Sequence, residues 1–243
     1  MSDESGMSDA KFQVVPIGMK EARDKLETLL GYRTKRERYN DLGIICWLNR
    51  IQPQEEAEKW TYFHVKHPAF EEQPASVKLH HYWKGGLAEH TRQMIGICLD
   101  IKSLYPGDLT MVTETDIIIG CYIHDFAKVW KYAPLTDEEK INLKEHEKYR
   151  QFRYFPGPFR LVTEEVATLL ELSKYDIQLT DTQAGALLFA EGGYSAANFD
   201  FTGRSDTGYT GHTRNPLAVM VSIADLYSAC LLGGTHADSS PGT

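Results

Sequence analysis

Cysteine is scarce in this chain, which has four among 243 residues: Cys46, Cys98, Cys121 and Cys230. They lie far apart and form no CxxC pair, so the sequence contains neither a disulfide framework nor a thiolate metal-binding motif. Most of them lie in apolar, helix-like segments, which is typical of buried thiols. We therefore expect reduced cysteines and a cytoplasmic location.

The sequence also lacks long apolar runs and an excess of positive charge. No run reaches the roughly 18 residues that a membrane span needs, and the first residues do not resemble a signal peptide. The net charge is −8, whereas a dedicated binder of long nucleic acid needs a basic surface. This balance still allows a small anionic substrate that is held by a metal ion and a few local cations.

Strand patterns, internal repeats and low-complexity segments are missing too, and helical periodicity dominates instead. Residues 86–105 are the strongest case, because apolar side chains recur there at helical spacing before a Pro-Gly pair. Thr113 and Asp116 resemble a capping box at the start of a helix over residues 113–128. Further helices are predicted over residues 19–30, 41–50, 55–66, 137–150, 163–172 and 181–189. The predicted fold class is therefore all-α.

The length suits one medium domain with ample material for a core. We expect a flexible polar tail over residues 1–15, a helical N-terminal extension over 16–62, the main domain over 63–233, and a flexible tail over 234–243. Residues 192–213 hold glycines and aromatics without periodicity, which predicts a long loop of the kind that often acts as a lid.

Two aspartates stand in segments that are otherwise apolar. Residues 116–123 are apolar nearly all round, as in a buried helix, and run directly into His124-Asp125. Asp225 repeats the pattern within the apolar run 217–232. An unpaired buried carboxylate costs several kcal/mol, so each acid needs a partner. A buried Arg, His or backbone group would serve either acid alone, whereas a metal ion would satisfy both acids at once.

The order His90, then His124-Asp125, then Asp225 resembles the HD-domain superfamily of metal-dependent phosphohydrolases. Several local motifs sharpen the resemblance: Pro74-Ala75-Ser76 followed by His80-His81, Gly86-Leu87-Ala88 before His90, and His-Asp-x-x-Lys at 124–128. These motifs are similar to the HD domain of bacterial 3′–5′ exoribonucleases and related relaxase-associated proteins. The resemblance covers residues 63–232 and implies an HD-domain helical bundle.

Those exoribonucleases carry an OB-type nucleic-acid domain before the HD domain. The residues before position 63 look helical here and show no run of alternating strands. We therefore expect the OB-type domain to be absent, which weighs against an exonuclease.

The resemblance implies that His90, His124, Asp125 and Asp225 bind a divalent metal ion. Neutral imidazoles and carboxylates suit Mn²⁺, Fe²⁺, Co²⁺, Ni²⁺ or Zn²⁺, with Mg²⁺ as a less favoured alternative. Such an ion lowers the pKa of a bound water and polarises a phosphoryl oxygen, and Asp125 can also orient that water.

Three further side chains are candidates for catalysis or for a second metal ion. Lys128 lies one helical turn after His124, so it can hold a phosphate on the same face, or it can be a solvated helix-end lysine. Some HD enzymes bind a second metal ion, for which His146 and Glu191 are the candidate ligands here. Glu191 can also act as a general base, with a solvated glutamate as the alternative.

Substrate contacts are expected from basic side chains near these motifs. His80 and His81 precede a Gly-Gly bend and can contact phosphate or a second metal ion, or they can simply pack. Lone cations are often only surface residues, but four of them suit an anionic ligand: Lys84, Arg92, Arg204 and Arg214. Aromatic side chains in the predicted loop can stack on a base or fold back onto the core.

The sequence thus predicts a metal-dependent phosphohydrolase that cleaves a phosphoester of a nucleotide or short oligonucleotide. The rivals are a 3′–5′ exonuclease or cyclic-nucleotide phosphodiesterase, and a non-catalytic nucleotide-binding sensor that keeps the HD scaffold. The intact set of four ligands argues against the sensor, because a pure binding module need not maintain an open metal site. We expect no membrane partner, disfavour long nucleic acid, and leave a homo-oligomer open.

Overall fold

The structure is a computed structural model, and it describes residues 39, 41–105, 107, 109–144, 150–155, 162–189 and 215–232. The chain divides into two units, Met1–Lys35 and Arg36–Thr243, and every described residue lies in the second unit. Both predicted tails, the predicted helix over residues 19–30 and the glycine-rich loop over 192–213 lie outside the described residues.

The described part of the chain is built mainly from helices, which confirms the all-α prediction. The α-helices are α1 (Ile44–Leu48), α2 (Gln54–Lys66), α3 (Gly86–Leu104), α4 (Glu114–His124), α5 (Asp137–Ile141), α6 (Glu164–Ser173), α7 (Asp181–Phe189) and α8 (Pro216–Tyr227). Short 3₁₀ helices lie at Pro68–Glu71 and Phe126–Trp130, and a π-helical turn, Ser228–Leu232, follows α8. Within the described residues, no helix is both long enough and apolar enough to cross a bilayer.

Side-chain caps explain where two of the central helices begin. The Thr113 hydroxyl accepts from the Asp116 backbone N–H, and the Asp116 carboxylate accepts from the Thr113 N–H, so the predicted capping box is confirmed. At α8 the Asn215 side chain accepts from the Ala218 N–H, and Pro216 takes the first helical position, where its missing N–H costs nothing. Both starts are therefore encoded locally.

The predicted helix over residues 113–128 is wrong at its C-terminal end. The α-helix ends at His124, Asp125 has φ −111° and ψ 14°, and a tighter 3₁₀ helix follows over Phe126–Trp130. Phe126 is fully buried, and the tighter winding brings the Lys128 ammonium back to the Asp125 carboxylate. The burial of Phe126 and the short-range contact between Lys128 and Asp125 favour a change of winding that hydrophobic periodicity does not show.

The predicted helix over residues 137–150 is wrong in its length, because α5 ends at Ile141. No residue of α5 is buried, so tertiary packing contributes little to the stability of this short helix. Beyond it the chain forms a strand instead, and β2 (Phe152–Tyr154) pairs antiparallel with β1 (Tyr132–Pro134). A ladder of three residues a side is too short to leave a strand pattern in the sequence.

Helix α4 lies at the centre of the bundle and packs against α3, α7 and α8. All of its residues from Asp116 to Ile123 are buried. The approach of α8 is close at Gly120, where an added Cβ would lie 3.1 Å from the Leu217 side chain. The last turn of the most enclosed helix therefore delivers His124 and Asp125 to a protected position.

Aromatic rings fill the space below the end of α4. Phe63 is fully buried, and its ring lies 4.8 Å from that of Phe126, while Trp60 meets Tyr122 edge-on at 6.0 Å. Both Trp60 and Phe63 belong to α2, so the expected boundary between residues 62 and 63 falls within this helix. These contacts place α2 in the same core as the C-terminal end of α4.

We expect Phe63→Ala to lower the free energy of unfolding by about 3–5 kcal/mol, because it leaves a cavity among rings that cannot close up. Urea denaturation followed by circular dichroism measures this loss. The matched control on the same helix is Val65→Ala, whose side chain is 58% exposed and whose effect should stay within about 0.5 kcal/mol. Equal effects at the two positions would show that the aromatic cluster does not hold α2 in place.

Candidate metal centre

Four side chains from three helices converge on one point. His90 lies on α3, Asp225 lies on α8, and the pair His124-Asp125 ends α4. The His90 Nε2 atom is 3.1 Å from Asp225 Oδ1 and 3.5 Å from Asp125 Oδ2. The His124 Nε2 atom is 3.8 Å from Asp125 Oδ1 and 3.9 Å from Asp225 Oδ1. The structure thus brings together the four side chains that the sequence predicts as metal ligands.

Three of the four side chains at this site are buried, and Asp225 is partly exposed. The side chains of His90, His124 and Asp125 are 0%, 5% and 8% exposed, whereas that of Asp225 is 36% exposed. A small solute can therefore reach the cluster from the Asp225 side, while the other three groups are held in a protein environment that strengthens their electrostatic interactions.

The charges in this cluster shift one another's protonation. Burial acts to lower the pKa of His124, but the Asp125 and Asp225 carboxylates outweigh it and raise that pKa to about 9. Burial likewise acts to raise the pKa of Asp125, yet the Lys128 ammonium and the His124 ring hold it at about 2. The two histidines hold the pKa of Asp225 well below its usual range. Both acids are therefore ionised at neutral pH.

The donor set fits a divalent cation. His90 Nε2 is buried and makes no hydrogen bond in the described structure, although it faces two carboxylates. One donor atom each from His90, Asp125 and Asp225 lie within 4.8 Å of one another. An imidazole nitrogen that points at carboxylate oxygens without bonding to them is the arrangement a shared ion would complete, and imidazole with carboxylate suits first-row transition metals.

Lys128 lies beside this cluster with its ammonium next to Asp125. Its Nζ atom is 2.5 Å from Asp125 Oδ2, and its side chain is 14% exposed. Burial opposes the charge, but Asp125 raises the pKa of Lys128, so the ammonium persists. The solvated-lysine alternative does not describe this enclosed side chain. A contact of Lys128 with a phosphate stays a prediction.

His80 and His81 lie against His90, in the loop before α3. Their ring centroids are each 5.1 Å from that of His90, and their Nδ1 atoms are 3.3 Å apart. Burial, together with His90 and Lys128, lowers the pKa of His80 to about 4, so this ring is neutral at physiological pH. The loop passes so close to α3 that a Cβ on Gly86 would lie 1.9 Å from the His81 carbonyl oxygen, which excludes any side chain there.

Two of the predicted anion contacts already face carboxylates. Lys84 Nζ is 3.2 Å from Glu72 Oε1 at the surface, and Arg92 Nη1 is 4.0 Å from Glu71 Oε2. Their roles toward a substrate stay predictions. The other predicted site residues lie outside the described residues: His146, Glu191, Arg204 and Arg214.

Sequence reasoning missed two buried polar residues behind the ligands. Ser228 and Gln93 are both fully buried, and the Ser228 hydroxyl lies 2.9 Å from His90 Nδ1. Each of them follows a predicted ligand by three positions, Gln93 after His90 and Ser228 after Asp225, and this helical spacing was the available signal. A ligand imidazole commonly has such a partner on its second nitrogen.

Comparison with known proteins yields one segment of similarity. No protein-family model matches the chain, and no solved structure matches it. The chain is 35% identical over 68 residues to a protein named dihydroneopterin 2′,3′-cyclic phosphate phosphodiesterase from Methanocaldococcus jannaschii. That segment is 28% of this chain and 27% of the relative. The chain thus matches about a quarter of the relative's length.

We expect the apparent affinity for Zn²⁺ to rise with pH up to about pH 9. In the metal-free protein His124 holds a proton with a pKa of about 9, and a bound ion has to displace it. One displaced proton corresponds to about tenfold in the apparent dissociation constant per pH unit below that pKa. Competition titrations against a fluorescent zinc chelator at several pH values measure this slope.

Stability of the metal-free protein should depend on pH in the opposite sense. Folding raises the pKa of His124 from 6.5 to about 9, so its stabilising effect is complete below pH 6.5 and is lost as the pH rises through about 9.

The control for the zinc titrations is His124→Asn, which should bind zinc more weakly and with a shallower pH slope. A pH-independent zinc affinity in the wild-type protein would contradict the assignment of His124.

Proposed function

We propose that this chain is a metal-dependent phosphohydrolase that cleaves a phosphoester of a nucleotide or short oligonucleotide. The observation that supports this most is the convergence of His90, His124, Asp125 and Asp225 on one partly open point. Two imidazoles and two carboxylates form a donor set that a protein of this size seldom assembles for packing alone.

A bound divalent ion would lower the pKa of a water molecule and polarise a phosphoryl oxygen. The protein's own groups set the charge of the site. With neutral histidines, the carboxylates of Asp125 and Asp225 and the ammonium of Lys128 leave one net negative charge. A divalent ion turns this into one net positive charge. The loaded site therefore attracts a phosphate, whereas in the metal-free site the proton on His124 leaves no net charge.

A phosphodiester is the substrate class that we favour within this proposal. A diester carries one negative charge, which the loaded site balances. The segment of similarity to a protein named as a 2′,3′-cyclic phosphate phosphodiesterase supports the same choice. We therefore propose a cyclic phosphate of a nucleotide-like compound as the second, narrower candidate.

The likeness to 3′–5′ exoribonuclease HD domains draws no support from the comparisons, and it stays a proposal that rests on the motifs alone. A polymer substrate would contact many phosphates and release many counterions, so its hydrolysis would be strongly salt-dependent. Hydrolysis of a small cyclic phosphate would vary little with salt.

The substrate class is tested with a panel of nucleoside phosphates, 2′,3′- and 3′,5′-cyclic nucleotides and short oligonucleotides, each with Mn²⁺, Ni²⁺, Co²⁺ or Zn²⁺. We expect metal-dependent hydrolysis, fastest on cyclic phosphates and nearly independent of salt. Steep salt dependence with oligonucleotides as the best substrates would favour the exonuclease instead. Nucleotide binding without turnover under every metal would favour the sensor.

We expect Asp125→Asn to lower kcat/KM about 10³-fold, the equivalent of about 4 kcal/mol of transition-state stabilisation. The substitution removes one ligand charge and leaves the Lys128 ammonium beside the cation without its partner. Steady-state kinetics on a cyclic nucleotide measures the change. The matched control is Asp137→Asn, because the Asp137 side chain is 97% exposed; comparable losses in both variants would place the chemistry elsewhere.

A further inference from the structure

A chain of buried hydrogen bonds runs behind the candidate ligands, and Gln93 is at its centre. The Gln93 Nε2 atom donates to Glu89 Oε1 at 3.1 Å. On the other side, the Gln93 Oε1 atom accepts from the Ser228 hydroxyl at 2.8 Å and lies 3.0 Å from His81 Nε2. One amide therefore connects a carboxylate to two separate branches, and both branches end at histidines of the site.

The carboxylate determines which way this amide points. A carboxylate only accepts hydrogen bonds, so Gln93 must turn its NH₂ group toward Glu89 and its oxygen toward Ser228 and His81. The indole N–H of Trp83 donates to the second oxygen of Glu89 at 3.0 Å and helps to hold the carboxylate in place. The hydrogen bond to Glu89 therefore sets the orientation of the Gln93 amide.

The first branch determines where His90 carries its proton. The Ser228 hydroxyl has a single hydrogen, which it donates to Gln93, so toward His90 Nδ1, at 2.9 Å, it can only accept. The neutral His90 ring is therefore protonated on Nδ1. Its Nε2 lone pair is left facing Asp125 and Asp225, as a metal ligand requires.

The second branch sets which ring nitrogen of His80 carries its proton. An amide oxygen can only accept, so the His81 Nε2 atom beside it has to donate; the neutral His81 ring therefore carries its proton on Nε2 and presents a lone pair at Nδ1. The His80 Nδ1 atom lies 3.3 Å away and has to supply the hydrogen of that contact. His80 is thereby left with its lone pair on Nε2, in a ring that senses the charges of Asp125, Asp225 and Lys128.

We propose that Glu89 is a positioning residue that, through Gln93, sets the proton positions of His90, His81 and His80. We call Glu89, Gln93, Ser228 and His81 the Glu89 relay. This inference rests on the proposed function, because the free lone pair of His90 matters only when His90 binds a metal ion. The His81 and His80 branch includes none of the four proposed metal ligands.

Long-range ¹H–¹⁵N correlation spectra of ¹⁵N-histidine-labelled protein report which ring nitrogen carries each proton. In zinc-loaded wild-type protein we expect protons on His90 Nδ1, His81 Nε2 and His80 Nδ1. The metal-free protein should show the same states for His81 and His80. Failure to bind zinc would overturn the proposed function, whereas a proton on His81 Nδ1 would overturn the relay. A His80 proton on Nε2 would overturn the second branch.

Glu89→Gln tests the origin of these proton positions. The Trp83 N–H needs an oxygen, so the new amide has to offer its NH₂ group to Gln93, and Gln93 has to turn over. Ser228 then donates to His90 Nδ1, and the His90 and His81 protons each move to the other ring nitrogen. We expect both tautomers to switch and the zinc dissociation constant to rise about 10–100-fold. Unchanged tautomers would overturn the proposal.

Two further variants separate the relay from general damage to the fold. Glu72→Gln makes the same chemical change at a side chain that is 64% exposed, and it should alter neither the tautomers nor zinc affinity. Ser228→Ala removes only the first branch, so zinc affinity should fall about tenfold while His81 keeps its proton on Nε2. A switch of His81 in Ser228→Ala would show that the two branches are not separately controlled by Glu89.

Discussion

Two ionised carboxylates, Asp125 and Asp225, face the same buried point, and their mutual repulsion is the constraint around which the centre is organised. The Lys128 ammonium lies against the Asp125 carboxylate, and the rings of His90 and His124 each lie near both carboxylates. A fold that removed these partners would leave unpaired charge inside a bundle whose total stability is only several kcal/mol. The cluster is tolerated because opposite charges, and in our proposal a cation, complete it.

The helical scaffold delivers these groups with little freedom to move. Helix α4 is enclosed by α3, α7 and α8, so its last turn cannot shift without disturbing the core. The change to 3₁₀ winding after Asp125 folds Lys128 back onto that carboxylate. The Glu89 relay, with Glu89 and Gln93 on α3 itself, adds directional control, because packing holds a ring in place but does not choose which nitrogen is protonated.

The sequence predicted the structure well where the signal lies within one helical turn, such as an acid in an apolar helix or a capping box. Acids in apolar helices indicated Asp125 and Asp225, the order of the histidine and aspartate motifs added His90 and His124, and the Thr113 capping box located the start of α4. The missed features depend on contacts between distant parts of the chain. The three-residue strands need a partner about twenty positions away, and Ser228 meets His90 from 138 positions away. Local spacing places Ser228 on the same helical face as Asp225, but it does not show which distant side chain it meets, so these contacts became visible only in three dimensions.

The uneven exposure of the four candidate ligands bears on how a metal ion would enter the site. Asp225 is the most accessible of the four, while His90 lies at the enclosed end. A hydrated cation arriving from solvent would meet a carboxylate first, in an encounter that retains most of its water shell. It would then shed water stepwise as it moved inward to the imidazoles, and it would leave in the reverse order. Exchange of such an ion would therefore require nitrogen to replace water at the buried end of the site, where His90 lies.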